Sequence, residues 1–254
     1  MSETTLQYTK DKGTALITLD RPQVLNAMNR QLWKDLQNAL EDAEKDPEVK
    51  AVVITGSGRA FSTGADLKES KTRSIEDYRI YLESLQEVSR KIIHFPKPTI
   101  AAVNGYALGS GYELALACDI RIAAEDAKIG SPEASVSSSV TGGAFRLIQN
   151  LIGPGKACEL LFTAESIDGR EAERIGLVNK SLPSGEVLEE ALRIARRISQ
   201  NDPFSLKMMK KGLRMAQGEV SLEALMAYEI EACLACVSTQ SREKALEKFE
   251  KRKS

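Results

Sequence analysis

Thr99-Ile-Ala-Ala-Val-Asn-Gly-Tyr-Ala-Leu-Gly-Ser-Gly-Tyr-Glu113-Leu-Ala-Leu-Ala-Cys118 is the stretch that decides how this chain folds. The uncharged run from Thr99 to Asn104 predicts a buried strand, Tyr106 to Ser110 a glycine-rich loop, and Gly111 to Cys118 a helix. A further strand follows from Ile120 to Ala124. Strands that alternate with helices predict an α/β architecture, strands inside and helices outside. One acid, Glu113, interrupts the apolar helix. A buried carboxyl is costly unless it has a partner or a task, and burial moves its pKa toward neutrality.

The same grammar extends in both directions. Upstream, Leu6 to Thr9 and Thr14 to Leu19 flank Asp11-Lys12-Gly13 as a hairpin. Asn29 caps a helix whose apolar stripe is Leu32, Trp33, Leu36, Leu40 and Ala43, ending at Asp46-Pro47. Val49 to Thr55 is a continuous apolar run, expected of a strand covered on both faces. Ser74-Ile-Glu-Asp77 resembles a capping box, with Ile75, Tyr78, Leu82, Leu85, Val88 and Ile92 at helical spacing behind it. Downstream, Ser135 to Gly143 is a polar segment that reads as a mobile loop. From Glu186 the pattern is helical, with Asp202-Pro203 opening one helix and a stripe through Leu222, Leu225 and Tyr228 in another. The division predicted is an α/β core over residues 1–182 and a helical C-terminal region over 183–254.

Composition narrows the function. A chain of 254 residues with 42% hydrophobic content can bury a large core. Lys and Arg (35) balance Asp and Glu (36), which offers no overall attraction for nucleic acid or an anionic membrane. Pro98 to Tyr112, the longest uncharged window near the middle, is too short and too glycine-rich to span a bilayer. The start of the chain lacks the features of a secretory signal or a transit peptide, so the expected location is cytoplasmic. Four cysteines argue against a disulfide framework. Cys233 and Cys236 form a CxxC, but with His94 as the single histidine and no second ligand pair they read as core thiols and no metal site is expected.

Three constellations could carry chemistry. Gly56-Ser-Gly-Arg-Ala-Phe61 follows a strand, yet it lacks the third small residue and the helix opening of a dinucleotide fingerprint. The segments Phe61-Ser-Thr-Gly-Ala65-Asp66 and Leu108-Gly-Ser110-Gly111 put small residues where backbone N–H groups could face a ligand, two of them forming an oxyanion hole. Glycines that merely make tight turns remain the alternative. The third is a pair of acids, Glu113 and Glu133, the latter in Gly130-Ser-Pro-Glu133. Spacing does not show whether they converge.

Four blocks in order carry a resemblance: Asp20-Arg-Pro-Gln-Val-Leu-Asn-Ala-Met28, Arg59 to Glu69, Lys97 to Asp119, and Gly130 to Glu133. Together they are similar to the enoyl-CoA hydratase/isomerase (crotonase) family, over about Thr14 to Lys253. The resemblance implies a ββα superhelix with a helical C-terminal trimerisation region, and a homotrimer or a dimer of trimers. It implies an acyl-CoA thioester as substrate and an enoyl-CoA hydratase activity, with double-bond isomerisation or another acyl-CoA lyase or hydrolase reaction as the alternative. Ala65 and Ser110 match the oxyanion donors, and Glu113 and Glu133 the two catalytic glutamates. Arg21, Val24, Leu25, Ala65, Asp66, Leu67 and Lys68 match the zones that hold CoA, and Lys251 matches a contact to CoA from a neighbouring subunit. No cofactor is implied, since coenzyme A arrives as part of the substrate. Ser110 stands where the family commonly has glycine, and the Glu133 to Gly143 stretch is one residue short.

Overall fold

The computed structural model describes residues 4–70, 74–218 and 220–237. The chain opens with the expected hairpin, β1 (Leu6–Asp11) antiparallel to β2 (Thr14–Leu19) about the Lys12-Gly13 turn. Helix α1 (Arg30–Lys45) starts where the Asn29 side chain accepts from the Leu32 N–H, and it buries Leu32, Trp33, Leu36, Leu40 and Ala43. Strand β3 (Ala51–Gly56) is buried at every residue, as a strand between two layers must be. It leads through a tight turn into another strand, β4 (Ala60–Ser62), and not into a helix.

After the single turn α2 (Leu67–Ser70), the capping box at Ser74 and Asp77 starts α3 (Ile75–Ile93). Its buried arc is Tyr81, Leu85, Val88 and Ile92. Ile75, expected in that stripe, is 91% exposed. At 100° per residue it falls on the flank of an arc centred on Leu85 and Ile92. Strand β5 (Thr99–Val103) follows. The segment expected to be a glycine loop holds a second short strand, β6 (Tyr106–Leu108), and helix α4 (Ser110–Ala117) starts directly after Gly109. Three residues are too few for periodicity to register, hence the misreading.

The next unit repeats the plan: β7 (Ile120–Ala124), β8 (Ile129–Gly130), a 3-10 turn at Glu133–Val136, and α5 (Ala144–Thr163), kinked at Gly153-Pro154. Then come α6 (Gly169–Arg174), β9 (Lys180–Leu182), α7 (Val187–Ile198), α8 (Pro203–Ala216, capped by Asp202 as predicted) and α9 (Leu222–Val237).

Two sheets result. The larger has the order β1-β2-β3-β5-β7-β9, parallel except for β1; the smaller is the parallel trio β4-β6-β8. Each long strand passes to a short strand of the second sheet and then to a helix, three times over. This is the ββα superhelix expected. Helix α7, on the C-terminal side of residue 182, packs on β3, β5 and β7, while α8 and α9 pack on each other. Cys233, read as a core thiol, is exposed on α9. No described helix is long and apolar enough to cross a membrane.

Candidate active site

The small sheet brings the distant segments together. β4 runs on to Ala65, β6 to Ser110 and β8 to Glu133. The carboxyl ends of parallel strands share one edge, which is where open α/β sheets place ligands. A cavity of about 510 Å³ lies there, lined by Ala65, Ser110, Glu113 and Glu133 together. The four site residues named from the sequence therefore converge.

The two amides are available for geometric reasons. Ala65 forms a parallel bridge with Met28, in which Met28 N–H donates to Gly64 O (2.7 Å) and Asp66 N–H to Met28 O (3.2 Å). A parallel bridge uses the groups flanking its central residue, so the N–H of Ala65 itself stays outside the ladder. Ser110 is the first residue of α4, and its N–H is one of the amides that a helix start leaves without an intrahelical acceptor. The two segments touch: a Cβ on Gly64 would lie 3.0 Å from Ser110 N and 2.8 Å from Leu108 O.

Glu113 sits in the first turn of α4 and is 2% exposed. Its Oε1 accepts from the Thr141 N–H at 2.6 Å, and its Oε2 has no hydrogen-bond partner among the described residues. Burial pushes the carboxyl up to about 7; the Thr141 N–H opposes this and the charge of Glu133 adds to it. Glu133 opens the 3-10 turn after Pro132, and the Ser131 hydroxyl donates to its Oε2. Its Oε1 hangs over Gly109: a Cβ there would lie 2.7 Å away. Gly109 also has φ +52° and ψ −125°, a backbone that side chains rarely adopt.

The CoA-matching residues divide into two groups. Ala65, Asp66, Leu67 and Lys68 line the cavity, with Leu67 and Lys68 exposed at its mouth. Arg21, Val24 and Leu25 do not line it. The Arg21 guanidinium instead donates to Ala27 O (2.5 Å) and Asp66 Oδ2 (2.9 Å), bracing the Ala65 loop from behind. Burial alone would raise the Asp66 carboxyl, but Arg21 and the Lys68 N–H hold it below the ordinary range. Leu25 O accepts from the Thr63 N–H, tying the turn after Pro22–Val24 to the same loop. Lys251 lies outside the described residues.

Several contributors carry no local signal. Thr141 is 28 residues from the acid it binds, and its own hydroxyl is buried without a partner among the described residues. Asn26 is fully buried and ties two turns together: it accepts from Arg21 N–H (2.8 Å) and donates to Ser57 O (3.0 Å) and Ala60 O (2.7 Å). Tyr78, Tyr81, Leu82 and Leu85 of α3 line the cavity as well. Ser131 alone was within reach of a sequence reading, two residues before Glu133. Among the described residues no group of three or more His, Cys, Asp or Glu side chains could hold a metal.

Comparison with known proteins agrees with this geometry. The chain matches the Enoyl-CoA hydratase/isomerase family model over residues 9–254. It is 38% identical to the short-chain-enoyl-CoA hydratase of Clostridium acetobutylicum, over 96% of this chain and 94% of that one. It is 37% identical to the crotonyl-CoA hydratase of Syntrophomonas wolfei, over 96% and 95%. The crystal structure of an enoyl-CoA hydratase from Bacillus anthracis superposes with a TM-score of 0.95 at 32% identity, covering 98% of this chain and 97% of that one. Ordered sequence blocks, two sheets in a ββα spiral and near full-length similarity agree, and the chain belongs to the enoyl-CoA hydratase/isomerase family.

Proposed function

We propose that this chain adds water reversibly across the 2,3 double bond of a 2-enoyl-CoA thioester. The observation that carries the reading is the convergence of Glu113, Glu133 and the amides of Ala65 and Ser110 on one cavity. The names of its relatives, a short-chain-enoyl-CoA hydratase and a crotonyl-CoA hydratase, support the substrate class.

The chemistry follows from charge. Oxygen of water bonds to C3, the π electrons shift through C2 to the thioester oxygen, and an enolate forms. The Ala65 and Ser110 N–H groups face that oxyanion, with the α4 dipole behind Ser110; fixed donors of this kind contribute about 3–4 kcal/mol each in a dry site. One glutamate takes a proton from the water and one delivers a proton to C2, so the pair ends with as many protons as it began. A carboxyl near 7 suits a reversible reaction, since it holds or releases a proton at little cost at neutral pH. Nothing in these steps asks for a metal or redox cofactor. CoA enters as part of the substrate, past Leu67 and Lys68 at the mouth, with Arg21 bracing Asp66 beneath them. Lys251 from a neighbouring copy completes the CoA contacts in a homotrimer or a dimer of trimers.

Loss of the conjugated enoyl-thioester absorbance of crotonyl-CoA tests the reading. The wild type turns it over, and Glu113→Gln and Glu133→Gln each lose about 10²-fold or more in kcat. Full activity in either variant removes that residue from the mechanism. Product analysis with 3-enoyl-CoA separates hydration from isomerisation.

A further inference from the structure

Helix α8 makes no part of the cavity wall, yet it delivers two cations to the back of the site. Arg214 Nη2 donates to Ala117 O, the last carbonyl of α4 (3.2 Å), and to Asp119 Oδ1 (2.8 Å). Lys210 Nζ donates to Ile92 O, in the last turn of α3 (3.3 Å), and to Lys97 O (3.1 Å), and it pairs with Asp119 Oδ2 at 2.7 Å. Asp119 is itself fixed by the Thr99 N–H (2.8 Å) and hydroxyl (2.9 Å). One carboxylate thus holds two cations, each capping the negative end of a different helix. Those are the two helices that build the site: α4 carries Ser110 and Glu113, and α3 carries Tyr81, Leu82 and Leu85 of the cavity wall.

Lys210 is only 8% exposed, and burying a lysine without a partner is unfavourable, so the contacts are strongly determined. Arg121, likewise buried, donates to Cys118 O (2.6 Å) and Leu177 O (2.9 Å) beside them. Helix α4 has eight residues and is about 12 Å long, so tilting it by about 5° at its C-terminal end moves the Ser110 amide by about 1 Å. A displacement of that size is enough to cost a reaction up to about 10²-fold.

We infer that Arg214 and Lys210 are positioning residues for the reaction, with α8 gripping the rear of the site: Arg214 sets α4 and the oxyanion amide, while Lys210 sets α3 and the acyl wall. The inference rests on the hydratase reading above and deepens it. It also ties the C-terminal helices to the chemistry, since α8 is the partner on which α9 packs.

The two substitutions separate this from a general loosening, because both residues share Asp119 and a merely structural role moves both variants alike. In the full-length protein, Arg214→Met lowers kcat on crotonyl-CoA about 10-fold with KM within about 2-fold. Lys210→Met instead raises KM several-fold and changes the preference between crotonyl-CoA and a longer 2-enoyl-CoA. Unchanged kinetics, or the same change in both variants, overturns the inference. If either Met variant does not fold, R214K and K210R are read in its place; R214K keeps a cation for Asp119 but loses the longer, planar guanidinium whose Nη2 spans both Asp119 Oδ1 and Ala117 O, and wild-type kcat in R214K overturns the inference equally. Failure of the hydratase reading shows separately, as no turnover by the wild type. The positioning claim then stands or falls on butyryl-CoA binding, which Lys210→Met weakens several-fold and Arg214→Met leaves within about 2-fold.

Discussion

Glu113 is the acid in the cavity whose protonation the fold alters. Burial of its carboxyl, with the charge of a second acid adding and one amide opposing, raises its pKa from 4.5 to about 7. The folded protein therefore binds this proton more tightly than the unfolded chain does. The resulting stability is fully present below about pH 4.5 and is lost as pH rises through about 7. A shift of that size corresponds to roughly 3 kcal/mol. Glu113→Gln cannot titrate, so its stability relative to wild type should rise by roughly that amount between pH 5 and pH 8. Urea unfolding of both proteins at the two pH values measures it, and a gap that stays constant with pH would assign the proton elsewhere. Gly109 makes a second case. Gly109→Ala places a methyl group against Glu133 Oε1 at a φ of +52°. The carboxyl is the mobile partner and must swing away, so the expected result is a large loss of kcat with CoA-thioester binding retained. Wild-type kcat in Gly109→Ala would show that the position of Glu133 over Gly109 does not matter.

At the scale of elements, the site depends on how tightly the strand-to-strand turns are held. Asn26 joins the β2–α1 connection to the β3–β4 turn through three hydrogen bonds, two of them to carbonyls of the turn. Asn26→Ala takes a partner from the half-buried Arg21 N–H and Ser57 O and leaves Ala60 O with only the longer bond from Asn104 (3.3 Å), which should cost about 1–3 kcal/mol in thermal or urea unfolding. It should also lower kcat through the Ala65 loop; a change below about 0.5 kcal/mol would show that other groups satisfy the turn. Caps and long periodic helices such as α1, α3 and α8 were legible in the sequence, because capping side chains and a 3.6-residue period are local signals. So were β3 and β5, as uncharged runs, and β7, in spite of Arg121 within it. The small sheet was not. Its strands are two or three residues long and take their meaning from parallel partners more than 20 residues away, so Tyr106 to Ser110 read as a loop. The same reason divides the site. Glu113, Glu133, Ala65 and Ser110 could be named from motifs, while Thr141, Asn26 and Lys210 act on groups 28 to 118 residues away and leave no pattern.

For the whole molecule, α9 brings several large apolar side chains to the surface. A helix face lined by large apolar side chains is normally covered. Here α9 packs on α8, where Tyr228 donates to Met208 O at 2.7 Å, yet Leu222, Met226, Ile230 and Leu234 are all more than half exposed. They recur every four residues along one face, and Met209 and Leu213 of α8 are exposed as well. Exposed apolar surface of this kind is what an interaction site needs, and the trimer or dimer of trimers proposed above would cover it as a closed ring without leaving a free edge. Ile230→Glu puts a charge at the middle of that face, where burial in an assembly would be strongly unfavourable. Sedimentation velocity should show the wild type as a trimer or hexamer and Ile230→Glu as a smaller species. Activity separates the consequence for the site: if a neighbouring copy supplies Lys251 to CoA, KM rises as the assembly dissociates, whereas kcat per chain falls if assembly also holds α8 against α4. An Ile230→Glu protein that stays assembled would place the interface elsewhere on the molecule.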